Sequence, residues 1–217
     1  MFRTLWRLVL LFLVILIVLG SLIVYQFFSK PMLAHPPATS IIIKPGSSLN
    51  TITRQLNAEG LLRYPPLFMA WAIFLHKESS LKAGEYAIDP TMTAPQLLAN
   101  MVNGKFILHK LTLVEGWTFN DFRQILNKDA FLQHDTTNLS DNEVLQLLGS
   151  GFKSPEGLFF PETYLFTRGD SDVEILKMAY AKMQDMLNFQ WQARSVGLPY
   201  LDLYQALIVA SMIEKET

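Results

Sequence analysis

The stretch from Leu8 to Tyr25 is the strongest constraint on this chain: it runs through leucine, isoleucine, valine and phenylalanine without a charge, interrupted only by Gly20 and Ser21. It reaches roughly the 18 to 20 residues a helix needs to cross a bilayer, and hydrocarbon admits such a segment only with its backbone hydrogen bonds closed internally. The sequence predicts a transmembrane helix. Arg3 and Arg7 precede the run, Lys30 follows it, and Trp6 and Tyr25 stand where interfacial aromatics belong. This bias favours a cytoplasmic N-terminus with the rest of the chain outside. A cleaved signal peptide fits less well, because the apolar run exceeds the usual stretch of about 7 to 15 residues and no clear small-x-small site follows.

Beyond this anchor roughly 185 residues remain, enough for one or two domains with cores of their own, and two are expected. The formal net charge is −1 and no run of lysine or arginine occurs, so no DNA or RNA partner is expected. Cysteine is absent, which excludes a disulfide scaffold and a thiolate metal site. His35, His76, His109 and His134 lack the spacing and acidic companions of a metal centre, so neither metal nor cofactor is predicted.

Leu33 to Ser40, with Pro36-Pro37, suits an extended spacer that lifts the first folded unit off the bilayer. Short punctuated elements follow. Ile41–Ile43 reads as a strand and Lys44-Pro45-Gly46 as a turn. Ser47 or Ser48 can cap a helix from Leu49 to about Glu59, ended by Gly60. Pro65-Pro66 opens a second helix through about His76, Gly84–Ile88 reads as a strand, and Thr93 with Gln96 forms a capping-box pattern before a helix that closes at Gly104. About 70 residues on, Gly116-Trp117-Thr118-Phe119-Asn120 with Phe122 and Leu126 echoes Gly46-Ser47-Ser48-Leu49-Asn50 with Ile52 and Leu56. Duplication and the ordinary chemistry of strand-to-helix junctions explain that echo equally well. Residues 133–142 read as a polar loop with Ser140 as a cap, and Asp172 to Asn188 as a surface helix packed on the core, with Met178, Met183 and Met186 filling gaps.

Glu214 and Glu216 end an apolar stretch from Leu201 to Ile213. A carboxyl group shielded from water there favours its neutral form, which can donate a proton to a glycosidic oxygen. On a helix the two glutamates lie about 200° apart and cannot both enter one cleft, and periodicity alone does not choose between them. The segment Glu156 to Tyr164, rich in aromatics and flanked by Glu156, Glu162 and Tyr164, reads either as a loop that stacks on sugar faces or as a buried turn.

Lys44-Pro45-Gly46, Leu81-Lys82-Ala83-Gly84-Glu85-Tyr86, Val114-Glu115-Gly116, the run from Glu156 to Tyr164, and Ala210 through Thr217 resemble, in order, successive landmarks of the YceG-like endolytic murein transglycosylases. The resemblance implies an α+β architecture: residues 1–30 as cytoplasmic N-terminus and anchor, 31–40 as linker, 41–105 as a LysM-like module, and 106–217 as the first part of a catalytic domain that continues further in the family. It implies cleavage of the bond between N-acetylmuramic acid and N-acetylglucosamine, leaving 1,6-anhydro ends, by a protein of the inner membrane whose bulk lies outside the cytoplasm. Matched to the family motif, Glu214 is the acid/base, with Glu156, Glu162 and Tyr164 shaping the substrate site. The implied partners are peptidoglycan glycan strands, the membrane and cell-wall synthases. The alternative is a noncatalytic, membrane-anchored peptidoglycan-binding or scaffold protein.

Overall fold

The computed structural model describes residues 2–32 and 40–216, so the expected spacer lies, apart from Ser40, outside the described residues. The fold is α+β, in two compact units, Met1–Ile107 and Leu108–Thr217.

The first unit begins with α1 (Phe2–Ser29), which carries a segment, Leu5–Ser29, long and apolar enough to span a membrane. Then come β1 (Ser40–Ile43), α2 (Leu49–Ala58), α3 (Pro65–Phe74), β2 (Gly84–Ala87) and α4 (Ala94–Asn103). β1 and β2 pair antiparallel with Ile41 opposite Tyr86. Ile41 and Ile43 point into the core while Ile42 is exposed, the period-two alternation that fixes register. Ser48 caps α2 by accepting from Thr51 N at 3.2 Å, and Thr93 and Gln96 complete both halves of the predicted capping box on α4. At the end of α2, Gly60 N donates to the Asn57 carbonyl and Leu61 N to that of Leu56, and Leu56 and Leu61 are buried together. α3 ends in the same way, two residues earlier than the sequence suggested, but with His76 in the left-handed position at φ 54° where glycine is usual.

The Leu81–Tyr86 run locks this unit. The Tyr86 hydroxyl donates to the Lys82 carbonyl at 2.7 Å, and burial pushes that hydroxyl up to about 12. Gly84 adopts φ +150° and leaves the space that the Phe106 ring occupies.

The second unit repeats the order: β3 (His109–Thr112), α5 (Phe119–Lys128), α6 (Asp141–Leu147), β4 (Thr163–Phe166) and α7 (Asp172–Gln192), followed by α8 (Leu203–Glu216). β3 and β4 pair antiparallel with Leu111 opposite Tyr164. The sequence echo thus extends well past the strand-to-helix junction. Gly46 and Gly116 share φ values of 77° and 75°, Ser48 and Thr118 share the capping role, and Tyr86 and Tyr164 each donate to a carbonyl four residues back. Where the sequence suggested a loop through Tyr164, Thr163 and Tyr164 belong to β4, with Tyr164 and Phe166 turned into the core.

Two side chains fasten the polar loop 133–140. Asp172, fully buried at the start of α7, accepts from Asp135 N at 3.0 Å and from Thr136 N and Oγ1, the latter at 2.5 Å. Arg123 of α5 donates to the carbonyls of Thr136 and Leu139 at 2.8 and 2.7 Å and pairs with Asp141 at 3.1 Å. The expected surface helix is α7, longer than predicted. Ile175, Leu176 and Ala179 are buried, but Met178 and Met186 are exposed rather than filling gaps.

Candidate functional site

The run Glu156 to Tyr164 enters from a turn in which Leu158 N donates to the Pro155 carbonyl and Gly157 takes φ +74°, a backbone state that costs glycine little. Its aromatics divide. Leu158 and Phe159 are buried, Phe159 stacked on Phe119 with ring centroids 5.0 Å apart, so they form core rather than a sugar platform. Phe160 is half-buried, with its amide donating to the Ala179 carbonyl of α7 at 3.0 Å and the Lys182 ammonium over its ring.

The three polar candidates do different jobs. The Glu156 carboxylate accepts from Phe119 N, the first residue of α5, at 3.0 Å, placing negative charge where that helix has unpaired donors. Glu162 is half-exposed and ion-paired with Lys182 of α7, while its main-chain carbonyl accepts from Leu113 N at 2.9 Å. Tyr164 is buried and donates to the Phe160 carbonyl at 2.7 Å. Burial, with a smaller push from the Glu162 charge, raises its hydroxyl to about 12, so it stays protonated across the physiological range.

Glu214 sits in the last turn of α8, and its side chain is exposed. The apolar shelter expected from the sequence is missing, because Ile208, Met212 and Ile213 themselves face outward. α8 is nevertheless seated against the aromatic run at its first turns. Tyr204 packs on Phe152 with centroids 5.0 Å apart, and a Cβ added to Gly157 would lie 3.4 Å from Leu207 Cδ2. Helix periodicity carries that contact forward: Glu214 follows Leu207 by seven residues, about 20° short of two full turns, whereas Glu216 falls on the opposite side. The structure therefore seats the first turns of α8 beside Gly157 of the Glu156–Tyr164 run, while Glu214 itself lies two turns further on, in the exposed last turn.

Three residues of the second unit escaped sequence reasoning. Lys182 pairs with Glu162 across 20 positions, and Asp172 and Arg123 bind loop backbone 13 to 37 positions away. Only Asp172 left a trace, as an acid just after the cap Ser171, where any helix accepts one. Among the described residues no group of three His, Asp or Glu side chains could hold a metal ion. A groove of about 510 Å³ runs between α2 and α3 in the first unit, lined by Asn50, Arg54, Met69 and Ile73 among others, and none of the predicted site residues borders it.

Comparison with known proteins places these motifs. A solved structure of a YceG-like protein from Listeria monocytogenes is 21% identical, with a TM-score of 0.35, covering 70% of this chain and 56% of its own. The chain thus spans little more than half the length of that protein. No curated protein matches. The sequence profile of the YceG-like family matches residues 41–217, which takes in the first unit beyond α1, the whole second unit and the landmarks from Lys44 to Thr217. The chain belongs to the YceG-like family.

Proposed function

We propose that the protein is a membrane-anchored endolytic peptidoglycan transglycosylase in which Glu214 is the acid/base. What supports this reading is the family match through residue 217, together with the seating of Leu207 of α8 beside Gly157 and the helical repeat that puts Glu214 within about 20° of Leu207's side of the helix. In this reading Glu214 protonates the bridging oxygen between N-acetylmuramic acid and N-acetylglucosamine as positive charge develops at C1. Its carboxylate then takes the proton from the same muramyl residue's C6 hydroxyl, which attacks C1 and closes the 1,6-anhydro ring. One carboxyl group serves both steps, since the nucleophile already belongs to the bound sugar. Shielding from water comes from the glycan strand itself lying over the exposed carboxylate.

Glu156 and Tyr164 position the run by their backbone bonds, and Glu162 is the carboxylate placed to meet substrate hydroxyls. Residues 41–105 act as a LysM-like module on the same glycan. α1 holds the protein in the inner membrane with its N-terminus in the cytoplasm, near the cell-wall synthases whose product it cuts.

The exposure of Glu214 favours a second reading, a noncatalytic glycan-binding scaffold. The two separate on one experiment. The protein expressed from its natural reading frame is incubated with purified peptidoglycan, and the fragments are analysed by mass spectrometry. The enzyme reading expects anhydro-ended fragments from the wild type and none from a folded Glu214→Gln variant. Fragments of the same kind from Glu214→Gln remove Glu214 from the role, and an inert wild type supports the scaffold.

A further inference from the structure

α3 is apolar around its whole circumference, yet the first unit buries only part of it. Phe68 and Ala72 face the core, while Ile73, Phe74 and Leu75 are 51%, 72% and 39% exposed. An unpartnered apolar helix end of this kind is costly in water. Its position relative to α1 supplies the occupant. Trp71 meets Phe28 edge-on with centroids 4.8 Å apart and stacks on Phe74 at 5.5 Å, so an aromatic chain leads from the end of α1 to the exposed tip of α3. Two positions earlier on α1, Gln26 Oε1 accepts from the Tyr64 hydroxyl at 2.7 Å.

These two contacts fix a direction. Gln26 and Phe28 are separated by only about 3 Å along α1, whereas Tyr64 and Trp71 are separated by about 10 Å along α3. That disparity is what a helix crossing the end of α1 would produce, rather than one running beside it. The joint is firm: Phe27 is buried, Met32 N donates to the Met92 carbonyl at 2.9 Å, and Arg63 N donates to that of Met32 at 3.1 Å.

We propose that α3 is an interfacial helix: its tip, Trp71 through Leu75, lies in the headgroup and upper acyl region of the leaflet that α1 leaves, docking the first unit on the bilayer instead of lifting it clear. The inference rests on reading α1 as a membrane span. Once α1 is upright in lipid, Phe28 lies at the edge of the hydrocarbon, and a helix crossing at that level runs in the plane of the interface. The exposed Lys77 stands two residues beyond the tip and Lys30 follows α1, both within reach of lipid phosphates in this placement.

The absence of native cysteine makes the test clean. Single variants Leu16→Cys, Ile73→Cys and Phe74→Cys of the full chain carry a nitroxide label in phosphatidylethanolamine vesicles containing phosphatidylglycerol. Collision rates with oxygen, which concentrates in lipid, are compared with those of a water-soluble nickel chelate. The proposal expects oxygen to be favoured several-fold at all three positions, more strongly at 16 than at 73 and 74. Labels at 73 and 74 open to the chelate while 16 remains in lipid overturn the docking and leave the span intact. A label at 16 open to the chelate overturns the span reading and the docking with it. Labels at 73 and 74 shielded from both reagents place protein there, and also overturn the proposal.

Discussion

Removing the Asp172 carboxylate should unfasten the second unit. In the wild type it receives two main-chain amides, Asp135 N at 3.0 Å and Thr136 N shared between its two oxygens at 3.3 and 3.2 Å, and the Thr136 hydroxyl at 2.5 Å. The carboxylate is fully buried and Thr136 nearly so. Asp172→Ala leaves a buried amide, a half-buried amide and a buried hydroxyl without acceptors, each worth about 1 to 3 kcal/mol. These losses overlap, because water that enters the vacated space satisfies more than one donor. The expected net destabilisation is therefore about 3 to 5 kcal/mol, a large share of the roughly 5 to 15 kcal/mol that holds a typical domain. Asp172→Asn keeps one acceptor oxygen and the shape, and should lose about half as much. The assay is hydrogen exchange by mass spectrometry in detergent, read on peptides covering 133–140 and the first turns of α7. Exchange there should accelerate more than a hundredfold in the alanine variant, while peptides from β1 and α2 stay unchanged. A change of less than about 1 kcal/mol would refute the idea that this carboxylate fastens the loop.

Three further outcomes follow from local geometry. His76 holds a left-handed backbone at φ 54° in the closing turn of α3, so His76→Gly should stabilise the first unit by about 1 kcal/mol, seen as a raised melting temperature; a loss would show that the imidazole makes a contact worth more than the strain. Gly84→Ala should cost about 1 to 3 kcal/mol by the same measurement, since its Cβ would overlap the Phe106 ring and φ +150° disfavours a side chain; an unchanged melt would mean that the ring moves freely. Asp121 is held below the usual carboxylate range by the Thr118 hydroxyl and amide, so its cap contributes stability above the ordinary carboxylate value and loses it as pH falls through the lowered folded value. Melts of wild type and Asp121→Asn should thus differ near neutrality and converge in acid, and a constant gap would refute that linkage.

Much of the first unit was legible because its signals are local. Ser48, the pair Thr93 and Gln96, and the glycines at 46, 60 and 104 each act within a few residues of their place in the sequence, and α2 and α4 begin where they indicate. The end of α3 was misjudged because a histidine occupies the position where a glycine would have announced the stop. In the second unit the decisive pairings are long-range. Nothing in His109–Thr112 or Thr163–Phe166 alone shows that these short strands pair across some 50 positions, and the aromatics of the intervening run looked equally suited to a cleft and to a core. Phe159 and Tyr164 went to the core because β4 turns alternate residues inward. The two C-terminal glutamates are equivalent by periodicity, since both continue apolar lines along α8, and the choice of Glu214 comes from the family motif.

The most direct test of a single carboxyl group acting through the sugar's own hydroxyl is digestion of purified peptidoglycan in heavy-oxygen water by the wild-type protein. New chain ends should be one water lighter than hydrolysed ends and carry no heavy oxygen. Heavy oxygen at those ends would mean that water is the nucleophile, and would contradict the account.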